Sequence, residues 1–308
     1  MPVTPPLRDA ILDWYAARGR PLAFRRTSDP YAILVSEAMA QQTQAVRAAA
    51  HWERFMGRFP TVGDLAAATP ADVLRQWQGL GYDRRALALW RTARVIVDQH
   101  GGRVPDTVEA LDALPGVGPY TARAVAALAF GRPVGAVDVN VRRVLGRIVA
   151  GADGPSMPTA AMQGVADAAV PPDQPGAWTH ALMDIGATVC RPRRPDCEAC
   201  PARTWCRYAA DAIAEPATTG AEARPAAGAV TTRRNPAPAF TATNRWLRGR
   251  ILDRLRDVPD GAWLVLAEPI GEHDLARVHA AARGLARDGV IELATGDTDP
   301  PLARLPLD

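Results

Sequence analysis

From residue 7 to about residue 210, apolar positions recur every three or four residues, and strand-type alternation is nearly absent. The pattern predicts a run of helices with short connections. Asp29-Pro30 opens one helix from Tyr31 to about Phe55. Thr69-Pro70 caps the next, through Trp77, with proline at the favoured first position. Arg84 to His100 follows and ends at Gly101-Gly102, and then come Thr107 to Leu114, Tyr120 to Phe130 and Val139 to Val149.

Between Glu215 and Pro238 the periodicity gives way to Ala, Pro, Thr, Gly and Arg, the composition of a linker. Beyond it the pattern predicts a helix near Asn244 to Arg256, an apolar stretch at Trp263–Leu266, a helix near Glu272 to Arg287 and a strand at Val290–Leu293. That order loosely resembles a winged helix-turn-helix. The expected organisation is a mainly α domain over 1–213, a linker over 214–238 and a small α/β domain over 239–308.

No apolar run approaches membrane-spanning length, and Met1 to Asp13 lacks the apolar core of a signal peptide. A cytoplasmic chain in a reducing compartment is therefore expected, with a monomer as the default. The net charge of +3 does not by itself imply nucleic acid. The kind of charge says more: all 36 basic residues are arginine, so no side-chain amine exists to form a Schiff base.

The only four cysteines, Cys190, Cys197, Cys200 and Cys206, follow the pattern C-x6-C-x2-C-x5-C. Thiolates gathered at short, uneven spacing indicate a metal site rather than a disulfide framework. Structural zinc usually shows two C-x2-C knuckles, and here only Cys197 and Cys200 make one. Four thiolates in one compact loop suit a 4Fe–4S cubane, with zinc as the alternative. The chain after Cys206 is short on core-forming residues, so the cluster is expected to staple a loop-rich region that could not hold itself.

Leu114-Pro115-Gly116-Val117-Gly118 lies between two helical patterns, and Pro119 opens the second. Its glycines permit close backbone approach, and the helix start offers unpaired N–H groups, together an anion site suited to a DNA phosphate. An ordinary tight turn is the plainer alternative. Arg142, Arg143 and Arg147 follow the hairpin, and Arg191, Arg193 and Arg194 lie between the first two cysteines. A solvated surface would explain any one of them. A loop pinned at both ends by cluster ligands would hold its arginines for phosphate contacts.

Four motifs in order then carry a family resemblance over residues 10–210. Ser36-Glu37-Ala38-Met39-Ala40-Gln41-Gln42-Thr43, Gly79-Leu80-Gly81-Tyr82 with Arg85-Ala86, Leu114 to Ala122 with Val137 to Arg143, and the four cysteines resemble the helix-hairpin-helix, iron–sulfur DNA glycosylases. Within that superfamily they are most similar to the adenine-excising MutY branch. The resemblance implies double-stranded DNA carrying A opposite 8-oxoguanine or G as substrate.

It also assigns roles, with which the local physics agrees. Glu37 shares a helix face with Ile33 and Leu34, an apolar setting that lets a carboxyl hold a proton. By resemblance it protonates adenine at N7. Asp138 precedes a helix and can be its N-cap; by resemblance the same carboxylate stabilises the oxocarbenium ion, with Asn140 orienting it. Tyr120 stands where strand-cutting relatives carry a lysine, which implies a monofunctional enzyme. Gln41, Gln42 and Tyr82 are implied to fill the gap left by the flipped base. Phe24 stands where the family more often has Trp, which keeps a planar apolar group.

The resemblance is incomplete at the C-terminus. Better-known MutY proteins carry a Nudix-like domain that helps recognise 8-oxoguanine, and no such pattern follows the linker here. Two other readings stay open: a monofunctional glycosylase for another base, and a non-catalytic iron–sulfur DNA-binding protein. Paired carboxylates at Glu37 and Asp138 argue against the latter.

Overall fold

The computed structural model describes residues 3–151, 157–214, 239–294 and 300–308. Nearly all of the linker expected at 214–238 therefore lies outside the described residues. Two compact units form, and neither is a continuous stretch of chain. One joins the segment up to Glu37 with residues from Val104 through the cysteine loop. The other joins Ala38–Arg103 with the described residues of the C-terminal segment. The C-terminal segment is thus grouped with an early part of the chain rather than standing alone.

In the first unit, Val139–Ala150 repeats apolar residues at helical spacing, and Val141, Val144, Leu145 and Ile148 are all buried. They pack with Leu7 and Ile11 of Pro5–Arg18 and with Trp178, Leu182 and Ile185 in and just beyond Pro175–Asp184. Each such side chain contributes about 1.5–3 kcal/mol by leaving water. Pro119–Phe130 begins at proline and ends at Gly131, whose φ of 63° suits a left-handed C-cap. A short π-type turn, Ile185–Val189, carries the chain from Pro175–Asp184 into Cys190.

The expected single helix from Tyr31 to Phe55 is two helices, Pro30–Ala40 and Ala45–Arg58. Gln42 interrupts them at φ 54°. The cause lies far along the chain: the Arg85 guanidinium donates to the carbonyls of Ala38 (3.0 Å), Met39 (3.4 Å) and Gln41. Those are carbonyls that a helix end leaves without partners. The other expected helices appear within a residue or two, including Pro70–Gln76 and Arg84–His100, except that Thr107 to Leu114 is helical only over Val108–Asp112 and the helix expected from Glu272 begins at Leu275.

The second unit's early segment is built on Phe55, Phe59, Leu74 and Trp77, all buried, with the Phe55 and Trp77 rings edge-on at 6.1 Å. Its C-terminal segment packs Asn244–Arg256 with Leu275–Arg287 beside a three-stranded antiparallel sheet. Leu302–Arg304 is the central strand, paired with Leu264–Val265 on one side and Glu292–Leu293 on the other. This central strand was absent from the sequence expectation, because Pro300-Pro301 precedes it and a proline follows. The Leu264–Val265 strand lies between the two helices in chain order.

Candidate active site

Glu37 sits near the end of Pro30–Ala40 and is 6% exposed. Burial raises its pKa to about 7, with the negative charge of Asp138 adding to the shift and the Tyr120 hydrogen bond and Arg25 opposing it. The Tyr120 hydroxyl donates to Glu37 Oε2 at 3.0 Å. Burial and the two neighbouring carboxylates hold the Tyr120 pKa well above its usual value, so the phenol remains a donor. A carboxyl with a pKa near neutrality and a neutral phenol beside it can deliver a proton.

Asp138 is the N-cap of Val139–Ala150, as its place before a helix implied. Its Oδ1 accepts from the backbone N–H of Asn140 (2.9 Å) and Val141 (2.7 Å), and its Oδ2 from Asn140 Nδ2 (2.9 Å). Asn140 thus holds the carboxylate through both its backbone and its side chain. Arg143 in turn donates to Asn140 Oδ1 (2.9 Å), to the Gly186 carbonyl (2.7 Å) and to the Cys190 carbonyl (2.8 Å). A chain of hydrogen bonds therefore links the carboxylate to the first cysteine. Gly186 permits this approach: a Cβ there would meet the Asn140 Cβ at 2.6 Å.

Five residues here, Tyr15, Arg20, Arg25, His180 and Asp184, were not singled out from the sequence. Asp184, fully buried, accepts two hydrogen bonds from Arg25 (2.7 and 2.8 Å) and one from Arg20 Nε (2.6 Å). Burial alone would raise the Asp184 pKa, but hydrogen bonds and charge from the two arginines outweigh it and hold the pKa low. His180 is pushed down to about 3, chiefly by burial and then by Arg25, so it is neutral. Its Nδ1 lies 3.2 Å from the Tyr15 hydroxyl. His180, Arg25, Ser36, Ile33 and Phe24 line a cavity of about 190 Å³. The buried Arg25 Nε has no hydrogen-bond partner there.

The four cysteines line one small cavity together with Arg147. Burial pushes the Cys200 thiol up to about 12 and also raises Cys197 and Cys206, with the neighbouring thiols adding to the shift. Thiols crowded in this way ionise only when a positive group meets them. Among the described residues, no three His, Cys, Asp or Glu side chains gather as a single bound ion would draw them. Four thiols around one cavity are the kind of donor set that an iron–sulfur cluster takes. Arg147, buried, donates to Cys190 Sγ at 3.4 Å and to the carbonyls of Arg191 and Pro192 at 2.9 Å each.

At the expected hairpin, Leu114 and Val117 are buried, so only their backbone can face a ligand. Gly116 turns the chain at φ 75°, and Gly118 is the extended N-cap before Pro119. Arg142 donates to the Met157 carbonyl and to Thr159 Oγ1. With Arg143 engaged as above, both arginines support the fold rather than standing free for phosphate. Arg191, Arg193 and Arg194 are exposed. In the second unit, Gln42 and Tyr82 are exposed and Gln41 is half-buried. The Tyr82 loop is held by Trp77 Nε1 and Arg85, both donating to the Gly81 carbonyl at 3.1 Å.

Residues 35–163 match the HhH-GPD superfamily of base excision DNA repair proteins. The chain is 39% identical over 292 residues to the adenine DNA glycosylase of Mycobacterium tuberculosis, covering 91% of this chain and 88% of that one. The chain belongs to the adenine DNA glycosylase family. The human adenine DNA glycosylase is 43% identical over 212 residues, which cover 65% of this chain and 39% of the human one. With 91% of this chain covered, similarity to the mycobacterial family member extends into the C-terminal segment. A solved thermostable thymine-DNA glycosylase has 31% identity and a TM-score of 0.61, covering 66% of this chain and 95% of that one. Endonuclease III trapped on DNA, at 22% identity and a TM-score of 0.58, shares the fold.

Proposed function

We propose that the protein hydrolyses the N-glycosidic bond of adenine opposite 8-oxoguanine or G in double-stranded DNA and leaves an abasic site. The observation that carries the reading is the buried Glu37, with a pKa near 7, bonded to Tyr120 and joined by the thrice-bonded Asp138. Two carboxylates in unlike environments are the signature of an acid working beside an electrostatic stabiliser.

The target adenine leaves the stack and Glu37 passes its proton to N7. The C1′–N9 bond then breaks with both electrons going to the base, and Asp138 faces the cationic sugar. Water adds at C1′, and the proton it loses replaces the one Glu37 gave. Tyr120 in place of an amine leaves no side chain to trap the sugar as an imine.

Cys190, Cys197, Cys200 and Cys206 would hold a 4Fe–4S cluster. When bound, it supplies positive charge to the thiolates and closes the loop that carries Arg191, Arg193 and Arg194. Base hydrolysis itself transfers no electrons.

Single-turnover excision on duplexes with A opposite 8-oxoguanine, A opposite G, T opposite G and hypoxanthine opposite T tests the assignment. Breaks should appear only after hot alkali and fastest for A opposite 8-oxoguanine. Preferential attack on another duplex would move the assignment to another base, and breaks without alkali would contradict the monofunctional chemistry.

A further inference from the structure

Within the second unit, a cleft of about 830 Å³ is lined by Gln41, Gln42, Tyr82 and Arg85, and by Arg245 and Trp246 of the C-terminal segment. Gln42 and Tyr82 are the only non-glycine residues at positive φ among the described residues, each at 54°. Backbone strain of this kind collects where a side chain must be aimed. The segment that brings Arg245 here is firmly seated. Arg256 donates to the Leu74 carbonyl (3.0 Å) and to Asp83 (2.5 Å), and Arg75 donates to the carbonyls of Arg256 (3.1 Å) and Val258 (2.9 Å).

Arg245 lies against the Tyr82 ring, 4.4 Å from its centroid, and donates to the Tyr82 hydroxyl at 3.2 Å. Arg85 lies over the same ring at 5.2 Å. Most arginines lining the cleft already meet an acceptor with full or partial negative charge: Arg248 and Arg84 meet Asp288, Arg250 meets Asp253, Arg256 meets Asp83 and Asp253, and Arg47 and Arg85 meet carbonyls. Among the described residues Arg245 meets only Tyr82, through its ring and hydroxyl, and one of its five donors is used there. Burial chiefly, and to a lesser degree the like charge of Arg245, lower the Arg85 pKa against the opposing pull of Tyr82 and Asp83.

We propose that Arg245 is a specificity-determining residue that reads the acceptor edge of the purine opposite the excised base. This inference rests on the glycosylase reading above. A guanidinium fork matches the paired acceptors of a guanine-type edge in a way a point charge does not. Held on the ring of the residue implied to enter the base stack, it stands at the level of bases rather than phosphates. Partner-base discrimination would then reside in the short C-terminal segment without a Nudix-like domain.

The test compares wild type, Arg245→Ala and Arg245→Lys in single-turnover excision of A opposite 8-oxoguanine, G or a tetrahydrofuran abasic analogue. Thermal unfolding of each protein reports on folding. Both variants should lower the rate ratio of 8-oxoguanine to abasic partner by about tenfold or more, with unfolding temperatures close to wild type because Arg245 is exposed. Equal loss on every duplex would mark a phosphate contact and overturn the proposal. So would restoration by lysine, or no change in the ratio. Absence of adenine excision by the wild-type protein would count against the glycosylase reading itself and is seen before any variant is measured.

Discussion

Glu37→Gln should leave binding to duplex carrying A opposite 8-oxoguanine nearly intact while slowing excision by at least about a hundredfold. Glutamine keeps the shape and can still accept the Tyr120 hydroxyl bond, but it has no acidic proton to give. The site is built to keep that proton. Glu37 is 6% exposed, and burial is the main cause of its raised pKa. If excision by the variant stayed within a few-fold of wild type in single-turnover assays, another group would have to protonate the base. Binding lost together with excision would instead point to a fold defect, which thermal unfolding would reveal.

Cys197→Ser should abolish the brown absorbance of a 4Fe–4S cluster and sharply reduce soluble yield. The segment 190–206 has little else to hold it. Ala202 and the edges of Cys190, Cys200, Cys206 and Trp205 reach the core, and Arg147 ties down two of its carbonyls. The loop also carries Arg191, Arg193 and Arg194. Without their fixed positions, DNA affinity should fall and the slope of log K against log salt should shrink by about 2–3, near 0.9 for each phosphate that is no longer neutralised. The hydrogen-bond chain from Cys190 through Arg143 and Asn140 to Asp138 means that excision should weaken too. Unaltered DNA affinity in cluster-free protein would contradict the supporting role.

Elements set by local chemistry were legible in the sequence. Pro119–Phe130 and Val139–Ala150 have a starting proline or acidic cap, a periodic face and a closing glycine, and they stand where the pattern placed them. The break at Gln41–Gln44 was not legible. No glycine or proline marks it, and it is stabilised by Arg85, more than forty residues away. The Arg25–Asp184 pair was hidden for the same reason, since its members are 159 positions apart. Glu37 could be placed on an apolar face from its neighbours alone, whereas its bond to Tyr120 needed the fold. Arginine clusters proved ambiguous: Arg142 and Arg143 bind the protein's own carbonyls, and Arg245 faces the open cleft. Composition cannot distinguish a guanidinium that closes a helix from one that waits for a ligand.

The most direct measurement is the single-turnover excision rate for A opposite 8-oxoguanine from pH 5.5 to 9. Glu37 acts in its protonated form, and its pKa is raised to about 7, so that form is held well above the ordinary carboxylate range and lost as pH rises through 7. The account predicts a plateau on the acid side, an inflection near 7 and a fall approaching tenfold per pH unit beyond it. A rate that stays level to pH 9 would contradict it, because the proton would then not come from Glu37.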